Sequence, residues 1–210
     1  MKIVLQCHAF VEGTTDRPFA ERLLSYSGFS EISISSGGGK SEIDRELSKY
    51  AQMGFNSPVV ALRDLDQDAA CAPTWIEEHA LGKVGQWFRL RIAVRSIEAW
   101  FLADRTHAAK QLAVDLSRIP LAPDGEDDPK SSVLKIASTS KNDRIKRLLL
   151  PKAGSTARVG PGYQNWLIES AAKWDPATAE ANSPSLARSV RSIKELRSSY
   201  RRSLSGRGSR

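Results

Sequence analysis

Cysteine is scarce in this 210-residue chain, with only Cys7 and Cys71, far apart in sequence. That pair gives no ground for a disulfide framework or a cysteine-based zinc site. Histidine is scarce too: His8, His79 and His107 share no ligand spacing, so zinc is not expected. No apolar run approaches the roughly 18 residues that a bilayer-spanning helix needs, so no membrane is expected among the partners. The start, MKIVLQCHAFVEG, has the apolar look of a short signal peptide. It lacks a small-residue cleavage site and runs straight into Glu12-Gly13, so it reads as a first strand. Cys7 in that strand reads as a buried structural thiol, and the expected location is the reducing cytoplasm.

What is present is an ordinary globular composition, 40% hydrophobic and 26% charged. It suits one sizeable domain with a normal core. The net charge of +7 is unevenly placed. The stretch from Arg188 to Arg210 holds eight of the 31 Lys and Arg and only one of the 24 acids, so the basicity resides there and the preceding residues balance. A basic terminus of this kind can bind phosphate backbones without sequence preference; it can equally be a solvated helix end followed by a disordered Ser/Gly/Arg tail.

Apolar runs suited to strands alternate with helical patterns, which predicts an α/β fold with a largely parallel sheet flanked by helices. Strands are expected at 2–11, 31–36, 58–62 and 87–94. Helices are expected after Thr14 or Thr15, from Ser41, from the capping-box pair Thr74 and Glu77, and after Ser96. PLAPDGEDDPK (120–130) is loop chemistry. It divides the expected α/β core, 1–119, from a mainly helical extension, 120–200, with a disordered basic tail over 201–210. Arg89 and Arg91 give the fourth strand one polar face, a candidate subunit surface that would make the chain a homo-oligomer.

Three acidic features stand where strands should end: Glu12, the run Asp64-Leu65-Asp66-Gln67-Asp68, and Glu98. Functional residues of open α/β sheets collect at the carboxyl ends of the strands, so these acids are expected to meet in space. Clustered carboxylates repel one another unless a cation neutralises them, and an oxygen-only donor set favours Mg²⁺ or Mn²⁺. The chemistry this suggests is metal-assisted phosphoryl transfer. Gly37-Gly38-Gly39-Lys40 precedes a helix but is not a P-loop, because Ile34 stands where the first glycine belongs. Lys40, Arg63 and Arg95 are candidate contacts to a substrate phosphate, with structural ion pairing the alternative for the two arginines. Trp100 is expected in the core; Trp166 and Trp174 are expected to pack, with base stacking the alternative.

VEGTTDRPFAERLL followed by ALRDLDQD resembles the TOPRIM domain, shared by topoisomerases, bacterial primases, OLD-family nucleases and a small rRNA-maturation ribonuclease. The matching features are Glu12-Gly13 after the first strand and Asp64-Leu65-Asp66 after a later one. RSIEAWFLAD and WDPATAEANSPSLAR further resemble a bacterial TOPRIM-like family akin to RloB, whose members often sit beside ATPase genes in phage-defence contexts. The TOPRIM likeness covers about residues 1–110. It implies a Rossmann-like catalytic core in which Glu12, Asp64 and Asp66 hold the metal, Glu98 is a further ligand or an orienting group, and Asp68 is at most auxiliary. The activity it implies is a Mg²⁺-dependent nuclease acting on DNA or RNA, an effector restrained by an ATPase partner. The alternatives are a non-catalytic module binding nucleic acid or a protein, and a small-molecule phosphohydrolase.

Overall fold

The computed structural model describes residues 4–79 and 81–207. Among them the sheet has four strands, β1 (Gln6–Val11), β2 (Glu31–Ser36), β3 (Val59–Asp64) and β4 (Phe88–Ala93), in the spatial order β2-β1-β3-β4. All three pairings are parallel, so the expected α/β class with a parallel sheet holds. β3 runs two residues past the predicted Leu62, because Arg63 and Asp64 still pair with Ile92 and Ala93 of β4. The acid at position 64 is therefore the last residue of a central strand, not part of a loop.

Side chains alternate across the sheet, and each face buries its own layer of helices. On one face α1 (Arg17–Tyr26) sets Phe19, Ala20, Leu23 and Leu24 against Cys7, Ala9, Val11, Val60 and Leu62. On the other, α2 (Gly39–Met53) and α3 (Ala72–Glu78) set Ile43, Leu47 and Trp75 against Val59, Ala61, Phe88 and Ile92. The helix starts differ from expectation. α1 begins after Asp16 rather than on Thr14 or Thr15. α2 begins at Gly39, because Gly37, Gly38 and Gly39 all take positive φ and make the turn before Ser41 is reached. α3 begins at Ala72 with Pro73 in its first turn, which leaves Thr74 inside the helix and removes the capping box.

Beyond β4 the chain is helical: α4 (Ile97–Ala103), α5 (Arg105–Leu112), α6 (Pro129–Ser138), α7 (Asp143–Leu149), α8 (Tyr163–Ala171), α9 (Pro176–Ala179) and α10 (Pro184–Arg207). Every residue of α4 is buried, and the cluster around it joins the sheet to Val133, Leu167, Leu186 and Ile193. The change near residue 119 is thus one of architecture, with the core continuous across it. The 120–130 loop is docked rather than free: Asp124 accepts the Ser183 hydroxyl at 2.6 Å and the Ser185 N–H at 2.7 Å. The expected disordered tail is corrected as far as Arg207, since α10 continues through it with Leu204 packed on the core; residues 208–210 lie outside the described residues. Among the described residues no helix is long and apolar enough to cross a membrane.

Three tryptophans expected to pack do so, and two of them lock the helical part to the sheet. The Trp174 indole N–H donates to the Trp100 carbonyl at 2.9 Å, and its ring meets Phe19 edge-on at 5.1 Å. The Trp100 N–H donates to Ser185 Oγ at 2.8 Å. Trp166 is buried against Phe101. Trp174→Ala, which removes a fully buried ring and its hydrogen bond, should lower stability by about 3–5 kcal/mol, read from urea unfolding followed by the far-UV signal.

Candidate functional site

After β2 the chain crosses back over β1 to place β3 on its other side. The carboxyl ends of β1 and β3 therefore flank the switch point of the sheet, where the flanking loops diverge and leave a crevice. Glu12 follows β1, and its Oε1 accepts the Asp64 backbone N–H at 2.8 Å. The two acids read from separate strands are thus in direct contact. Asp64 projects to the face of α1 and α4, where its ionisation is opposed by burial and then by Asp16, Glu98, Glu12 and Asp66, in that order. Glu98, in the first turn of α4, is only 2% exposed. It accepts hydrogen bonds from Ser96 Oγ at 2.8 Å and the Tyr163 hydroxyl at 3.2 Å, and Lys130 Nζ lies 3.4 Å away. Asp66 sits in the turn after β3 with φ 48°, its carboxylate 2.9 Å from Lys40 Nζ.

The acids are strained electrostatically by crowding and burial. Burial pushes the Glu12 carboxyl up to about 7, against the pull of the Asp64 N–H. Burial likewise pushes Asp16 up to about 6, with Glu98 adding repulsion. Asp64 is held well above the ordinary carboxyl range. Lys130 is also raised above its usual range, its ammonium favoured first by Glu98 and also by Asp64 and Asp66. Burial and the neighbouring Glu98 keep the Tyr163 phenol protonated far above its usual range.

Three members of this group were not anticipated. Asp16 lies one helical turn beyond Glu12 and turns its carboxylate back to the Gly13 N–H at 2.8 Å instead of capping α1. Its spacing of four from Glu12, at the mouth of a helix, was the available signal. Lys130 and Tyr163 arrive from the helical part, and no local pattern marks them. The residues expected to meet phosphate are engaged within the protein. Arg63 is 2% exposed and points to the opposite face, where it clamps Asp44 at 2.7 Å and Asp68 at 2.6 Å and lies 4.0 Å over the Trp75 ring. It is a structural ion pair, which corrects its assignment as a phosphate contact. Asp68, shared between Arg63 and Lys40, is held in those pairs rather than offered as an auxiliary ligand. Arg95 binds the carbonyls of Asp66 and Ala69, both at 2.9 Å, and so shapes the turn. Lys40 pairs with Asp66 and Asp68. Lys40 and Arg95 still line the open crevice of about 400 Å³, with Asp66, Asp128, Lys130 and Arg158 around it.

The donors are carboxylate oxygens, and the set suits a hard divalent cation in charge and chemistry. Among the described residues, however, no three His, Cys, Asp or Glu side chains stand as a ready-made cage. Four of the five acids are partly committed: Glu12 to the Asp64 N–H, Asp16 to Gly13, Asp66 to Lys40 and Glu98 to Ser96. The two lysines supply part of the positive charge a cation would bring. No protein-family model, curated protein or solved structure matches this chain, so the geometry stands on its own.

Because Glu12 and Asp16 have raised values in the folded state, the fold binds their protons more tightly than the unfolded chain does. The stability this contributes is whole below the unfolded carboxyl range near 4 and is lost as pH rises through about 6 for Asp16 and about 7 for Glu12. In EDTA the melting temperature should therefore fall between pH 5 and pH 7.5. Glu12→Gln, which cannot ionise, should make that fall smaller; an unchanged pH profile in this variant would contradict the electrostatic picture.

Proposed function

We propose that this chain is a divalent-cation-dependent nuclease of the TOPRIM type, hydrolysing phosphodiester bonds at the crevice above β1 and β3. The observation that carries the reading is the assembly of Glu12, Asp16, Asp64, Asp66 and Glu98 at the sheet's switch point, with three of the five held above the ordinary carboxyl range. The resemblance of the Glu12-Gly13 and Asp64-Leu65-Asp66 segments to TOPRIM domains supports it independently of the geometry. Mg²⁺ or Mn²⁺ would be held by Glu12, Asp64 and Asp66, with Asp16 and Glu98 beside them. A bound cation supplies water activation and charge neutralisation at the scissile phosphate.

The protein's own groups have definable parts. Glu12 fixes the end of β3 through the Asp64 N–H, so the two acids keep their relative positions while substrate enters. Ser96 and Tyr163 hold the Glu98 carboxylate in orientation. Lys130, nearly half exposed on the crevice wall, can move from Glu98 to a substrate oxygen as negative charge builds there. Lys40 can make the same exchange from Asp66, which retains it as a phosphate contact. On the RloB-like resemblance the chain would act in the cytoplasm as a defence effector restrained by an ATPase partner.

A second reading has a specific observation behind it. Lys40 and Lys130 already offset part of the acidic charge, and no closed ligand cage is present among the described residues, as would suit a non-catalytic binding module. Cleavage of plasmid DNA, single-stranded DNA and total tRNA, with Mg²⁺, Mn²⁺ or EDTA, separates the two. The nuclease reading expects metal-dependent cleavage, reduced at least about 10²-fold in Asp64→Ala and in Glu12→Ala. Absence of both cleavage and calorimetric metal binding by the wild-type protein would leave the binding module.

A further inference from the structure

Away from the acids lies a group of arginines that the reaction does not use. Arg89 and Arg91 are two apart on β4, so their side chains leave the same face of the sheet. Their register partners are Val60 and Leu62, which belong to the core shared with α1 and α10. Both arginines therefore face α10, not α2, and the strand face expected as a subunit surface lies beside that helix. Arg188, exposed in the second turn of α10, the helix packed on β4, acts on Arg91 and completes the group.

The three charges gather without a counter-charge. None of them makes an ion pair among the described residues. Among the described residues Arg89 finds the carbonyls of Gln86 and Phe88, at 3.0 and 2.7 Å. Arg91 is the telling member: its Nε is shielded from solvent and has no hydrogen-bond partner among the described residues. Burial, then Arg89 and Arg188, push its guanidinium below the usual range. A buried, unpartnered donor beside two like charges is costly, and an anion removes all three penalties together. Guanidinium groups presenting several N–H donors match the oxygens of a phosphate.

The position of the group suggests which phosphate. Among the described residues β4 is an edge strand, so no further strand pairs along its outer side. The same strand leads through Ala93 to Arg95 and Ser96, which line the acidic crevice. From Arg91 to the end of β4 at Ala93 the strand rises roughly 7 Å at about 3.3 Å per residue, comparable to about two stacked nucleotides at ~3.4 Å each. On α10 the basic series continues through Arg191, Arg197, Arg201 and Arg202, with Glu195 the single acid, so a polyanion is the complementary ligand. We infer that Arg89, Arg91 and Arg188 form a phosphate subsite that holds the backbone of a nucleic-acid strand running along the β4 margin into the crevice. The identity of the strand as substrate rests on the nuclease reading; the phosphate subsite does not.

The test is fluorescence anisotropy with labelled 12-nucleotide single-stranded RNA and DNA, in EDTA so that nothing is cleaved. Wild type is compared with Arg188→Gln, Arg91→Met and the triple variant Arg89→Gln/Arg91→Met/Arg188→Gln across a salt series. The expected result is at least tenfold weaker binding by the triple variant, and a log-log salt slope shallower by about 2, as for three lost phosphate contacts on a single strand. Inorganic phosphate should raise the melting temperature of the wild type and not that of the triple variant. Arg91→Met should melt at or above the wild-type temperature, because it deletes a half-buried charge that has no ion pair among the described residues. Melting far below wild type would make Arg91 a structural residue and overturn the assignment. Equal affinity and equal salt slope in the triple variant would overturn it as well, while leaving cleavage and its loss in Asp64→Ala untouched. A phosphate response without binding of either strand would overturn the nucleic-acid source. Arginine-dependent strand binding without any cleavage would uphold the subsite and defeat the nuclease reading instead.

Discussion

Carboxylates repel one another, and this chain crowds five of them around one point of its sheet. That crowding decides what else the structure has to do. Strand order brings Glu12 and Asp64 together at the carboxyl ends of β1 and β3, and burial makes their charge expensive. The neighbourhood answers with backbone N–H groups at Glu12 and Asp16, hydroxyls at Glu98, and the mobile ammonium ends of Lys40 and Lys130. These partners are sufficient for folding yet readily exchanged. A site kept in that condition costs stability in the resting protein and is responsive to any ligand that brings positive charge.

The opposite face shows the contrasting solution. Arg63 occupies its buried position permanently, held by two carboxylates and an indole ring, and it donates to the Asp64 carbonyl as well. Arg63 and Asp64 are neighbours in sequence but belong to different layers, because successive strand residues point to opposite faces. The fixed ion pair keeps the turn after β3 rigid from behind, while the exchangeable charges stay on the crevice side. Rigid support beneath a responsive surface is what a binding or catalytic site needs to hold its geometry.

Much of this could be read in advance where the information is local. The strands at 2–11, 58–62 and 87–94 alternate or run apolar, and the acids after their ends stood out by residue type, so Glu12, Asp64, Asp66 and Glu98 could be read in advance. The assignment of Arg63 failed although period-two alternation already set it opposite Asp64. Lys130 and Tyr163 were beyond reach, because what brings them to Glu98 is the docking of distant helices on α4, and PLAPDGEDDPK looks like any polar linker until Asp124 is seen gripping Ser183 and Ser185. The tail was misjudged for a related reason. Its composition is that of a disordered segment, yet the apolar spacing that ends with Leu204 gives α10 a face to bury.

The grip of Asp124 on Ser183 and Ser185 bears on the order in which the molecule becomes competent during synthesis. The strands and the acids they carry leave the ribosome before the helices that complete the crevice. The crevice wall that bears Lys130 is anchored only once position 185 is available, and Trp100 finds its hydroxyl partner at the same moment. Contacts closing so many intervening residues form late. A nascent chain therefore carries the acidic residues without a finished crevice until the segment around position 185 has been made.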